Sequence, residues 1–84
     1  MPDTYGSTPA DVRTVIENAI ADGGSPIVLL YNTGDTIQRA RVVWPSKILT
    51  NKQGHVYFRA HDSLRDTVRS FRLARVLAAH LLQA

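Results

Sequence analysis

Arginines recur at every third position in the segment Arg69-Ser-Phe-Arg-Leu-Ala-Arg75. A guanidinium is a planar fork of donors that grips phosphate or carboxylate, so Arg69, Arg72 and Arg75 are candidates for oxyanion binding. In an extended strand, Arg69 shares a face with Phe71 and Leu73, and Arg72 points the other way. The competing reading is a solvated strand edge, where charge blunts aggregation. Binding is favoured because apolar residues sandwich the arginines and acidic neighbours are scarce. Upstream, His55-Val-Tyr-Phe-Arg-Ala-His61 alternates, placing Tyr57 with His55, Arg59 and His61, opposite Val56, Phe58 and Ala60. Tyr57 is then available to stack a base or donate its hydroxyl to a phosphate. Arg59 adds a cation to that face, and a protonated His55 or His61 would assist. Arg41 reads as a further anion contact, or as the partner of Asp35 or Asp66 in a salt bridge.

Charge is divided along the chain. Residues 1–38 carry one basic and five acidic side chains, a balance of −4, and residues 39–84 carry nine and two, a balance of +7. That asymmetry points to an anionic partner for the second half. Enzymatic signatures are missing: there is no cysteine, no Gly-x-Ser-x-Gly and no His-Glu-x-x-His. Gly23-Gly24 follows a helix rather than leading into one, so no phosphate-cradling loop is expected. His55 and His61 lack the carboxylate and cysteine company of a metal site. No catalytic residue, cofactor or metal is therefore expected.

The elements that must hold these side chains can be read from periodicity. Residues 1–8 read as a flexible leader, and residues 9–84 as one small domain. Thr8 reads as an N-cap and Pro9 as the first helical residue, and Val12, Val15, Ile16, Ala19 and Ile20 form a helical stripe over about 9–22. Gly23-Gly24 ends it. Strands follow at 26–31, at 37–44 closed by Pro45, in a short piece at 48–50, at 55–61, and at 67–73. Turns are read at 32–36, 51–54 and 62–66. Residues 76–83 fit either a helix, by composition, or a closing strand, by position. Trp44, Tyr31, Phe71 and Leu73 read as packing residues. The class is α+β, mainly β: one leading helix and a small barrel. No apolar run reaches the ~20 residues that span a bilayer, and the opening residues lack signal-peptide features, so a cytoplasmic protein is expected.

The succession Ile27-Val-Leu-Leu-Tyr31, Arg41-Val-Val-Trp-Pro45, Gly54-His-Val-Tyr-Phe58 and Arg69-Ser-Phe-Arg-Leu-Ala-Arg-Val76 resembles the bacterial WYL domain over about residues 10–82. Two departures stand out: Val56-Tyr57-Phe58 replaces Trp-Tyr-Leu, and Ala74 replaces the usual Asp of the closing motif. No helix-turn-helix precedes the domain in this sequence, so operator binding is not expected of it. The resemblance implies a five-stranded Sm-like (SH3-like) barrel after an N-terminal helix, with a 3₁₀ turn near Leu73–Arg75 and a closing strand. It also implies a sensor of negatively charged ligands, notably nucleic acid or nucleotides, in transcription regulation or defence; phosphate contacts with base stacking on Tyr57 make single-stranded nucleic acid or a nucleotide the expected ligand. By position, its ligand-facing set includes Arg41, Tyr57, Arg69, Arg72 and Arg75. Partners would be that ligand and a homodimer mate or a regulatory chain. The rival expectation is an interaction or homo-oligomerisation module whose basic face serves only solubility.

Overall fold

Period-3.6 and period-2 patterns alternate along this chain, and the computed structural model, which describes residues 5–6, 9–32 and 40–82, shows what they build. A two-residue strand β1 (Tyr5–Gly6) precedes helix α1 (Pro9–Ala21); then come β2 (Ile27–Tyr31), β3 (Ala40–Thr50), β4 (Val56–Asp62), β5 (Thr67–Arg72), a 3₁₀ turn (Leu73–Arg75) and β6 (Val76–Leu81). Thr8 and the turn expected at 32–36 lie, wholly or in part, outside the described residues.

All strands join one antiparallel sheet in the order β1-β6-β2-β3-β4-β5. Among the described residues no pairing links β5 to β1 or β6. The sheet is therefore open, and the closed barrel expected from the sequence is not observed. The mainly β composition with one leading helix is as expected. The tail is a strand because β6 has neighbours on both sides, β2 and β1. Tertiary pairing overrides the helical leaning of its Ala and Leu residues.

The helix buries Val12, Val15, Ile16 and Ala19 against the inner sheet residues Ile27, Leu29, Val43, Phe58, Ala60, Phe71 and Ala79. Gly24, at φ +94°, adopts the left-handed conformation that lets the chain leave the helix. Its amide donates to the Ala19 carbonyl at 2.9 Å. In the core, Phe58 and Phe71 stack at 5.3 Å between centroids, and Tyr31 meets Phe71 edge-on at 5.1 Å.

One strand departs from the sequence reading. Pro45 does not close a strand; β3 runs through it to Thr50. Pairing with β2 ends at Val43, so among the described residues β3 is paired only with β4 from Trp44 onward. A residue without an N–H is tolerated there, beside a bulge between Pro45 and Lys47. The bulge has a consequence for side-chain direction. Trp44 points outward and Pro45 inward, and strict alternation would turn Lys47 in. The inserted residue flips the parity, so Ile48 packs on the core opposite Phe58, while Lys47 and Leu49 face out.

Candidate anion site on two faces of one sheet

The alternation that buries Phe58 and Phe71 also sorts the candidate residues. Arg69 lies opposite the buried Ala60 on the inner face, and Arg72 lies opposite Tyr57 on the outer face. Arg41 pairs with the buried Leu29 of β2 and faces inward. The inner set thus contains Arg41 and Arg69. The outer set contains Tyr57, Arg59, His61 and Arg72. Arg75 is exposed in the 3₁₀ turn, and His55 is exposed ahead of β4. The eight candidates do not converge on one surface.

The inner pair is organised by a residue that sequence reasoning placed in a loop. Asp62 ends β4, is fully buried, and receives the Arg41 Nη1 at 2.9 Å and the Arg69 Nη1 at 3.5 Å on the same oxygen, Oδ2. Its Oδ1 accepts the Leu64 amide at 3.1 Å, which caps the turn into β5. The partner of Arg41 is therefore Asp62. Asp35, one of the two partners expected from the sequence, lies outside the described residues. Asp66, the other, is 93% exposed and its Oδ1 lies 3.2 Å from His61 Nε2. The expectation that acidic partners are scarce near Arg69 is likewise corrected by Asp62.

The two guanidiniums differ in what they leave free. The Arg41 side chain is only 7% exposed, and its buried Nε has no hydrogen-bond partner. The Arg69 side chain is 40% exposed, and its one ion-pair contact is long. Both guanidinium carbons stand 5.9 Å from the centroid of Phe71, which supports them through ring-face attraction. One carboxylate thus faces two permanent cations, leaving an excess positive charge in a partly enclosed place. An orphaned buried donor is costly, and such a site gains from an added acceptor. A cleft of about 360 Å³ lined by Val28, Ala40, Arg41, Val42, Ser63 and Leu64 opens at the other side of β2 and β3, where Val28 pairs with Val42 and both alternate with the inward Leu29 and Val43; Asp62 and Arg69 do not line it.

On the outer face Arg59 lies across the sheet, with Nη1 3.4 Å from the Ser70 hydroxyl of β5. The Ser46 hydroxyl in the bulge donates to the Arg59 carbonyl at 3.2 Å, tying β3 to β4. Trp44, read as a packing residue, is 39% exposed and lies 5.7 Å from the His61 ring. Tyr31 and Phe71 pack in the interior as expected. The Tyr31 hydroxyl also accepts the Arg72 amide at 2.9 Å, across 41 residues of sequence.

Sequence reasoning missed Asp62 and Lys47. Asp62 had a legible signal, since the alternation Val56, Phe58, Ala60 extends inward to position 62. Lys47 had none, because its direction depends on the bulge.

The family model described as the WYL domain matches residues 11–81. Among solved structures, the chain is similar to proteasome accessory factor B/C (PafBC) of Arthrobacter aurescens, with a TM-score of 0.81 and 24% identity. The match covers 98% of this chain and 13% of that one. No curated protein matches.

Proposed function

We propose that this chain, which belongs to the WYL domain family, is the non-enzymatic sensor module of a system that regulates transcription or defence. Its signal is an anionic ligand, either single-stranded nucleic acid or a nucleotide. The observation that carries this reading is the Arg41–Asp62–Arg69 cluster: a buried guanidinium with an unbonded Nε beside a half-exposed one, sharing one carboxylate. A phosphate placed there adds charge-assisted hydrogen bonds without stripping water from a new cation, because Arg41 is already buried. The chain corresponds to 13% of the neighbouring PafBC chain, which fits a module that passes its signal to other domains or to a partner chain.

The test is fluorescence anisotropy with labelled single-stranded DNA and RNA, at low and near-physiological salt, against a duplex and heparin. Saturable binding that prefers single strands and survives moderate salt is expected. Arg69→Ala should weaken it about tenfold and flatten the salt slope by about one, the signature of one lost phosphate contact. Binding that heparin matches and salt abolishes would refute the reading.

A second reading, an oligomerisation module, is favoured by one observation: among the described residues β5 has a strand neighbour on one side only. An unpaired edge is a template for another chain. A solution mass that rises with concentration, and falls with a proline at Ser70, would support it.

A further inference from the structure

The outward face of the sheet changes character along β3. Leu30 stands there between Ala78 and Ala40, and Val28 stands between His80 and Val42. The next row is Trp44, opposite His61, which lies opposite Val68. Leu64, just past β4, joins Val28, Ala40 and Val42 in the wall of the cleft of about 360 Å³. Beyond the bulge the same face turns basic, with Lys47 opposite Arg59. The three rows themselves hold no lysine, arginine or carboxylate; Asp66, 3.2 Å from His61, stands at their margin. The solvated face of an antiparallel sheet ordinarily carries polar side chains at alternate positions. On β2 and the first half of β3 those positions are valine, leucine, alanine and tryptophan.

Among the described residues nothing covers these rows. The helix α1 buries its apolar stripe on the inner face. Trp44 is 39% exposed, Leu64 49% and Val68 50%. Residues 33–39, which join β2 to β3, include one large apolar side chain, Ile37, too little for three rows. A contiguous apolar area rimmed by charge marks a docking surface. Its size decides what fits. Four strands spaced about 4.8 Å apart and three rows spaced about 7 Å apart make a surface of about 20 Å by 20 Å. That is roughly half of the ~800 Å² that each partner of a stable dimer buries, so the face is too small to hold a second copy by itself. An α-helix of about 14 residues is about 20 Å long and lays one apolar stripe over such an area.

We infer that the outward face of β6, β2 and the first half of β3 docks one amphipathic helix of a partner chain, with its apolar stripe over Val28, Val42 and Leu64 and acidic residues on its flank meeting Lys47 and Arg59. The acidic flank follows from charge complementarity, since a lysine-flanked helix would be repelled at the Lys47–Arg59 row. A helix on this side would complete the layering that α1 begins on the other, with both faces of the sheet buried. The surface is distinct from the Arg41–Asp62–Arg69 cluster, whose ion pairs lie on the inner side. It therefore stands whether or not that cluster holds the ligand.

Trp44 is the only tryptophan of the chain, so its emission reports on this surface. The experiment selects binders to the protein from a displayed library of tryptophan-free peptides of about 14 residues, randomised on every face. Enriched peptides are then titrated against wild type, Val42→Thr/Leu64→Gln, Lys47→Glu/Arg59→Glu and Arg69→Ala, with Trp44 emission and peptide circular dichroism as readouts. Enriched sequences are expected to repeat apolar residues at i, i+3, i+4 and i+7 with Asp or Glu beside them. Binding should turn the peptide helical and shift Trp44 emission to the blue. It should weaken about tenfold or more in each double variant and persist in Arg69→Ala. Lys47→Glu/Arg59→Glu changes outward charges only, so it tests the surface even where the first double variant is unstable. Four results overturn the inference: no enrichment, binders that stay extended, binding that leaves Trp44 emission unchanged, or equal binding to both double variants. A solution mass that doubles with concentration, with a blue shift of Trp44 in the absence of peptide, would also overturn it and give the face to a second copy.

Discussion

Arg41 and Asp62, separated by 21 residues of sequence, form an ion pair at 2.9 Å in which neither side chain is more than 7% exposed. Their strands are neighbours, β3 and β4, so the pair ties together the end of the sheet nearest Arg69. Removing one partner from such a pair strands a buried charge, at a cost of about 3–5 kcal/mol. Asp62→Ala is therefore expected to remove much of the stability of a domain this small, which is marginal at ~5–15 kcal/mol. Asp62→Asn should cost less, because an amide oxygen still accepts from Leu64. Urea unfolding of the two variants checks the order; equal stability of Asp62→Ala and wild type would contradict a structural role for the pair.

Tyr31 links β2 to the end of β5 through its hydroxyl. Tyr31→Phe keeps the edge-on contact with Phe71 but leaves the Arg72 amide without that acceptor. A loss of about 1–3 kcal/mol is expected. Amide exchange at Arg72 should accelerate more than exchange in β2. If Arg72 exchange is unchanged, the hydrogen bond does not hold the strand.

Gly24 combines a φ of +94° with close approach: a Cβ there would stand 3.3 Å from the Pro45 carbonyl oxygen. Gly24→Ala should destabilise the domain by about 1–2 kcal/mol from the left-handed conformation alone, with crowding added. At Gly23, where φ is +87° and a Cβ meets nothing within 4 Å, only the conformational part applies. Thermal denaturation of both variants should rank Gly24→Ala as the less stable. The reverse order would place the cost elsewhere.

Much of the local order was legible in the sequence. Valine and isoleucine at helical spacing located α1, and period-two alternation put Arg69 with Phe71 and Tyr57 with Arg59. The 3₁₀ turn and closing strand followed from the family resemblance, where composition alone left the tail open. What the sequence did not reveal is non-local. Nothing near Arg41 indicates that a residue on β4 supplies its counter-ion. A proline inside a strand reads as a stop unless its lack of a β2 neighbour is known. The bulge then changed the side on which Lys47 and Leu49 stand, and a period-two pattern cannot announce its own phase shift. Alternation already turned Arg69 and Arg72 to opposite sides; it was the family resemblance that gathered them, with Arg41, Tyr57 and Arg75, into one ligand-facing set.

The most direct test of the central claim is to follow the arginine side-chain Nε–Hε signals by NMR while adding the single-stranded oligonucleotide that binds most tightly. The Arg41 and Arg69 signals are expected to move together and saturate, since their guanidiniums share Asp62 and the Arg41 Nε has no partner in the free protein. The Arg75 signal, from an exposed side chain in the 3₁₀ turn, should stay in place. Saturated binding with the Arg41 and Arg69 signals unmoved would contradict the claim that this cluster holds the ligand.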